Sequence, residues 1–180
     1  ILRAGVTALG QNPAASLGEI ADAAGVARST LHRYFPDRAD LLAAMRQFAD
    51  GEIRNATERA KLEQGEALEA LVRLCHEYFD QWEILIWSYQ DSISSGSEPD
   101  NEDDWSDVEI ASVIERGYAD GSIDPQVPRG WLQQVLWALI YSGWEYVREG
   151  ASKHEALALT LDSLRRIASP SASAPASSNR

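Results

Sequence analysis

Arg28 and Arg33 stand five residues apart in the short polar segment 27–34, A-R-S-T-L-H-R-Y. An arginine presents a planar fork of N–H donors that bonds two acceptors on a guanine edge at once, the commonest specific contact in a DNA major groove. Ser29, Thr30, His32 and Tyr34 add hydroxyl and imidazole donors around the two guanidinium groups. On an isolated helix such a set is as readily a solvated face as a reading surface. The elements that hold it decide between the two.

Those elements are written in residues 16–42, SLGEIADAAGVARSTLHRYFPDRADLL. Ser16 followed by Glu19 is a capping box that opens a helix. Ile20, Ala21 and Ala24 recur at helical spacing and give it a small apolar face. Gly25 ends it, because glycine takes the left-handed cap conformation without a Cβ penalty. Val26 packs back, and Ala27–Tyr34 starts a second helix anchored by Leu31. Phe35-Pro36-Asp37 stops that helix, and Asp37 caps the next. A short helix, a glycine turn and a polar second helix predict a helix-turn-helix, which lays its second helix in the major groove.

The segment resembles the TetR family of bacterial transcriptional regulators. The resemblance rests on Ile20-Ala21, Ala24-Gly25-Val26, Leu31-His32-Arg33-Tyr34-Phe35, and Asp37-Arg38 with Leu41. Ser29 stands where the family commonly has glycine, His32 where it has tyrosine, Tyr34 where it has histidine and Arg38 where it has lysine. The resemblance implies that Arg28, Ser29 and Arg33 face the groove. It implies also that Ser16, Thr30, His32, Tyr34 and Arg38 contact phosphates, and hydroxyls or cations at helix starts suit that role. An apolar effector pocket between the C-terminal helices follows from the same likeness. A homodimer is expected from the surplus of apolar residues on the last two long helices, Leu136, Leu139, Ile140, Val147, Leu157, Leu161 and Leu164, and its two-fold axis suits a palindromic operator.

The net charge of −12 argues against DNA binding. Its distribution answers this. Residues 1–46 hold Arg3, Arg28, Arg33, Arg38 and Arg46 against Glu19, Asp22, Asp37 and Asp40, a net of +1, so the remainder carries −13. The arginines gather where the motif meets phosphate, and the acid lies elsewhere. The single Cys75 excludes a disulfide framework and a cysteine-based zinc site. Its spacing with Leu71, Tyr78 and Phe79 makes it a buried small hydrophobe. The longest apolar stretch, 131–144, is interrupted by Gln133 and Gln134 and is too short for a bilayer. No membrane association and a cytoplasmic location are therefore expected.

Beyond the motif the chain reads as helices throughout, with no alternating strand pattern. Helix 1 is expected from Ile1 to Leu9, and a long connector from Arg38 towards Leu62. One helix is predicted over Ala67–Tyr89, another over Trp105–Ala119. A long helix should start at Pro128 and run to Glu149, and the last should span Ala151–Ala168. The expected fold is all-α, an N-terminal three-helix helix-turn-helix domain plus a C-terminal helical bundle. The divisions are 1–46 for DNA binding, 47–168 for effector binding and dimerisation, and 169–180 as a Ser/Ala/Pro-rich tail expected to be disordered.

Large aromatics share helix faces in the second part. Trp82, Ile86 and Tyr89 line one face, and Trp137, Tyr141 and Trp144 line another. At helical spacing such residues are more often core than ligand wall. The family likeness shifts the balance towards a site for a small apolar or aromatic effector. Asp100, Glu102 and Asp104 alternate as in a calcium loop. However, Trp105 stands where the turn needs glycine, and Ala111 stands where the bidentate glutamate belongs. No metal or cofactor is expected. There is no nucleophile beside a base and no phosphate-cradling glycine loop, so no enzyme is expected. The expected function is a TetR-type regulator, a repressor released from its operator by effector. The alternatives are a regulator without a small-molecule effector, and a ligand-binding bundle with an incidental helix-turn-helix.

Overall fold

The computed structural model describes residues 1–95 and 105–170. Among these the chain is helical throughout, with no strand. The helices are α1 (Leu2–Gln11), α2 (Leu17–Ala23), α3 (Arg28–Tyr34), α4 (Arg38–Ala60), α5 (Ala67–Asp80), α6 (Trp82–Ser95), α7 (Trp105–Asp120), α8 (Arg129–Arg148) and α9 (Lys153–Ala168). No helix among the described residues is long and apolar enough to cross a membrane. The acidic segment at 98–104 and the tail from 171 onward lie outside the described residues.

The helices gather into two compact units. The first holds Ile1–Arg59 and α6, the second Ala60–Phe79 with α7, α8 and α9. In the first, Val6, Leu9, Ile20, Ala21, Leu31, Leu41 and Met45 form a core, and Ile84 and Trp87 of α6 belong to it. Helix α6 lies along α1, where Thr7 Oγ1 donates to Glu83 at 2.9 Å. Arg46 of α4 grips the Asp91 carboxylate through Nε at 2.6 Å and a terminal nitrogen at 3.2 Å. The first unit is thus the helix-turn-helix, the connector helix and α6 built around one apolar centre.

The predicted single helix over Ala67–Tyr89 is two helices, separated at Gln81. The amide groups of Ile84 and Leu85 restart the ladder from the Gln81 carbonyl at 3.0 and 3.1 Å. Apolar residues continue through the junction, which contains neither glycine nor proline, so periodicity gives no warning of it. The two halves serve different cores: Tyr78 and Phe79 are buried in the second unit, Ile84 and Trp87 in the first.

In the second unit α8 packs chiefly on α9 and α7. Gly143 of α8 allows a close approach. A Cβ there would meet Thr160 Oγ1 of α9 and lie 2.8 Å from Phe79 Cε2 of α5. Helix α9 is capped by the Ser152 hydroxyl, which accepts the Glu155 amide at 3.1 Å, and ends with Arg165 and Arg166 in its last turn.

Candidate functional site

The helix-turn-helix forms as its local signals require. The Ser16 hydroxyl accepts the Glu19 amide at 3.2 Å, and the Ser16 amide donates to the Glu19 carboxylate at 2.7 Å. Those bonds hold the Glu19 carboxyl below its ordinary range, the Ser16 backbone bond contributing most. Gly25 takes φ +65°, and the Val26 amide closes back on the Ala21 carbonyl at 3.0 Å. Asp37 accepts the Asp40 amide at 2.9 Å and opens α4.

Leu31 fixes how α3 sits, since it is the buried residue of that helix. The opposite side is then outward: Arg28, Ser29, His32, Arg33 and Tyr34 are exposed, and Thr30 is half-buried. The Arg33 guanidinium lies 5.2 Å over the Tyr34 ring, and Tyr34 is 60% exposed. Two guanidinium groups, two hydroxyls, an imidazole and a phenol therefore share one free helix surface, the chemistry needed to meet bases and phosphates together. Ser16 is exposed at the start of α2, its hydroxyl oxygen accepting the cap bond with its proton left to donate.

Arg38 is placed differently from the other phosphate candidates. Its guanidinium turns inward and donates to the carbonyls of Ala15 and Pro13, the latter at 2.8 Å. It thereby ties the start of α4 to the loop before α2. This role has no local sequence signal, because the acceptors lie 23 and 25 residues away.

The six ligand candidates divide between the units. On α6 in the first, Trp82 and Ile86 are half-buried and Tyr89 is 60% exposed. On α8 in the second, Trp137 stacks on Tyr78 with ring centroids 5.4 Å apart and planes at 16°. Its indole N–H donates to Asp107 Oδ1 of α7 at 3.1 Å. Tyr141, one turn further, is 54% exposed, whereas Trp144 is buried and stacks on Phe79 at 4.8 Å. Sequence reasoning missed Tyr78, Asp107 and Gln133 beside Trp137. A carboxylate in the first turn of a helix reads as an ordinary complement to the helix dipole, and nothing local links it to α8. No group of three or more His, Cys, Asp or Glu side chains able to hold a metal occurs among the described residues.

Known proteins resemble this chain along nearly its whole length. Residues 1–45 match the family of bacterial regulatory proteins of the tetR type. The transcriptional repressor LfrR of Mycolicibacterium smegmatis is 36% identical over 165 residues, covering 91% of this chain and 86% of that protein. The transcriptional regulator NfxB of Pseudomonas aeruginosa is 33% identical over 87 residues, covering 48% of this chain and 46% of its own. A crystal structure of LfrR from Mycobacterium smegmatis in complex with proflavine superposes with a TM-score of 0.73 at 33% identity, covering 92% of each chain. With an exposed polar second helix on a capped helix-turn-helix and a relative of this identity along nearly its whole length, the chain belongs to the TetR family of bacterial DNA-binding transcriptional regulators.

Proposed function

We propose that this regulator is a repressor whose two copies grip a palindromic operator and release it when a planar aromatic effector enters the C-terminal part of the chain. The division of labour is 1–46 for DNA and 47–168 for effector and dimerisation. Arg28, Ser29 and Arg33 read bases, while Ser16, Thr30, His32 and Tyr34 hold phosphates. Trp137 carries the effector reading. It is a half-buried ring already stacked on Tyr78, one helical turn from the exposed ring of Tyr141. A flat ligand extends such a stack at small reorganisation cost. The proflavine bound by LfrR, a flat tricyclic molecule, supports the same class of ligand.

Dimerisation is assigned to α8 and α9. Leu136, Ile140, Leu161 and Leu164 are buried within the protomer and are not available to a partner. Apart from Tyr141, the large apolar groups left exposed on these helices are Leu159 and Ile167, 53% and 38% exposed, spaced four residues either side of Ser163 on α9, with Trp131 and Tyr146 on α8. A two-fold axis pairing these helices with their copies matches the symmetry of a palindromic site. The protein would act in the cytoplasm, where its DNA lies.

The test is direct. DNA fragments bound by the purified chain are selected and sequenced, and the best site is titrated with proflavine. Salt-dependent binding to a palindrome, with loss of the complex as the aromatic is added, is the expected result. Binding to a palindrome that no planar aromatic disturbs would remove the effector from the reading and leave the regulator.

A further inference from the structure

Asp107 sits in the first turn of α7 and is fastened to α8 by two bonds from one face of that helix. Its Oδ1 accepts the Trp137 indole N–H at 3.1 Å, and its backbone carbonyl accepts the Gln133 side-chain amide at 3.2 Å. Asp107, Gln133 and Trp137 are all half-buried, and Tyr78 behind the indole is fully buried. No lysine, arginine or histidine among the described residues forms an ion pair with this carboxylate.

A carboxylate has room for about four hydrogen bonds, and here the recorded side-chain donor is an uncharged N–H. Beyond the α7 dipole and the indole N–H its negative charge has no counter-ion among the described residues, and it lies at the edge of an aromatic stack. The faces of Trp137 and Tyr141 are themselves electronegative and attract cations. A −13 charge outside the first 46 residues adds a long-range pull of the same sign. A neutral aromatic could use the rings alone, whereas a flat cation would use the rings and the carboxylate together.

We infer that Asp107 makes the effector site selective for planar aromatic cations, its carboxylate meeting the positive charge while Trp137 and Tyr141 take the ring system. This rests on the effector reading given above and adds to it the charge of the ligand and the residue that selects it. Asp107 is a specificity residue: it decides which aromatic binds, and the indole bond fixes where its charge is held.

The experiment compares two tricyclic probes of nearly equal size, proflavine, protonated at neutral pH, and acridone, which is neutral. Calorimetric titration of the full chain is expected to show at least a tenfold preference for proflavine. Asp107→Asn keeps an acceptor for the Trp137 N–H and removes only the charge, so it should abolish that preference by weakening proflavine at least tenfold more than acridone. Asp107→Glu should retain part of it. Equal affinity for both probes in the unaltered chain overturns the inference without any variant having to fold, and leaves the effector reading standing. A loss of both probes together in Asp107→Asn makes the residue merely structural and overturns the inference too. Binding of neither probe by the unaltered chain removes the effector reading and this one with it.

Discussion

Arg38 donates to the carbonyl of Pro13 at 2.8 Å, so the first residue of the connector helix is tied to the loop that delivers the reading motif. A second bond to the Ala15 carbonyl makes the guanidinium a two-point brace. Bonds from a charged donor contribute about 1.5–3 kcal/mol when well placed. Arg38→Ala is therefore expected to lower the melting temperature by several degrees and weaken operator binding. The slope of log affinity against log salt should match the unaltered chain, because no phosphate contact is lost. A slope flattened by about one would return Arg38 to the phosphate-binding set.

Arg28 and Arg33 should behave otherwise. Both are exposed on α3 and neither forms an ion pair among the described residues. Replacement of either by alanine is expected to cost about 1–3 kcal/mol on the best operator, with much less effect on random DNA, and to leave stability unchanged. Equal losses on both DNAs, measured by fluorescence anisotropy, would reduce the residue to a phosphate contact.

The Arg46–Asp91 pair links the connector helix to α6 inside the first unit. It is a surface bond on the arginine side, 46% exposed against 15% for Asp91, so its direct effect on stability should stay below about 1 kcal/mol. Its role is expected in coupling. Asp91→Asn should leave operator affinity and effector affinity each near their original values, while shrinking the factor by which effector weakens DNA binding. A coupling of about 1–3 kcal/mol is typical of such switches. An unchanged factor in the full four-species titration would remove this pair from the coupling.

Gly143 is a packing requirement. An added Cβ would meet Thr160 and the Phe79 ring, both buried. Overfilling a tight contact costs about 1–3 kcal/mol. Gly143→Ala should therefore destabilise the chain by that amount in urea unfolding, despite the better helix propensity of alanine. A gain in stability would show that α8 and α9 can separate freely.

Cys75 gives a pH signature. Burial pushes its thiol from the ordinary 9.0 up to about 12, so the folded state favours the protonated form. The stabilisation is complete below pH 9.0 and is lost progressively as pH rises towards 12, because only the unfolded thiol ionises there. Unfolding measured at about pH 8 and about pH 10.5 should show a steeper alkaline loss for the native chain than for Cys75→Ala. Parallel losses would place the thiol in contact with water.

The helix-turn-helix was legible in the sequence because every signal that shapes it acts within a few residues. Ser16 and Glu19 cap each other across three positions, Gly25 supplies the left-handed turn beside its own helix, and Asp37 caps the turn that follows. Leu31 as the sole buried residue of α3 then fixes which side chains face outward. Helix faces in the rest of the chain were legible in the same way, since a 3.6-residue period is written locally. What each face meets was not. Trp137 and Asp107 are 30 residues apart, Arg38 and Pro13 are 25, and Arg46 and Asp91 are 45. The break at Gln81 has no glycine or proline to announce it, and arises where consecutive apolar residues serve two different cores. Local backbone chemistry thus determined the helix-turn-helix, whereas only three-dimensional packing decided which aromatic became core, which arginine became a brace, and which carboxylate came to lie beside Trp137.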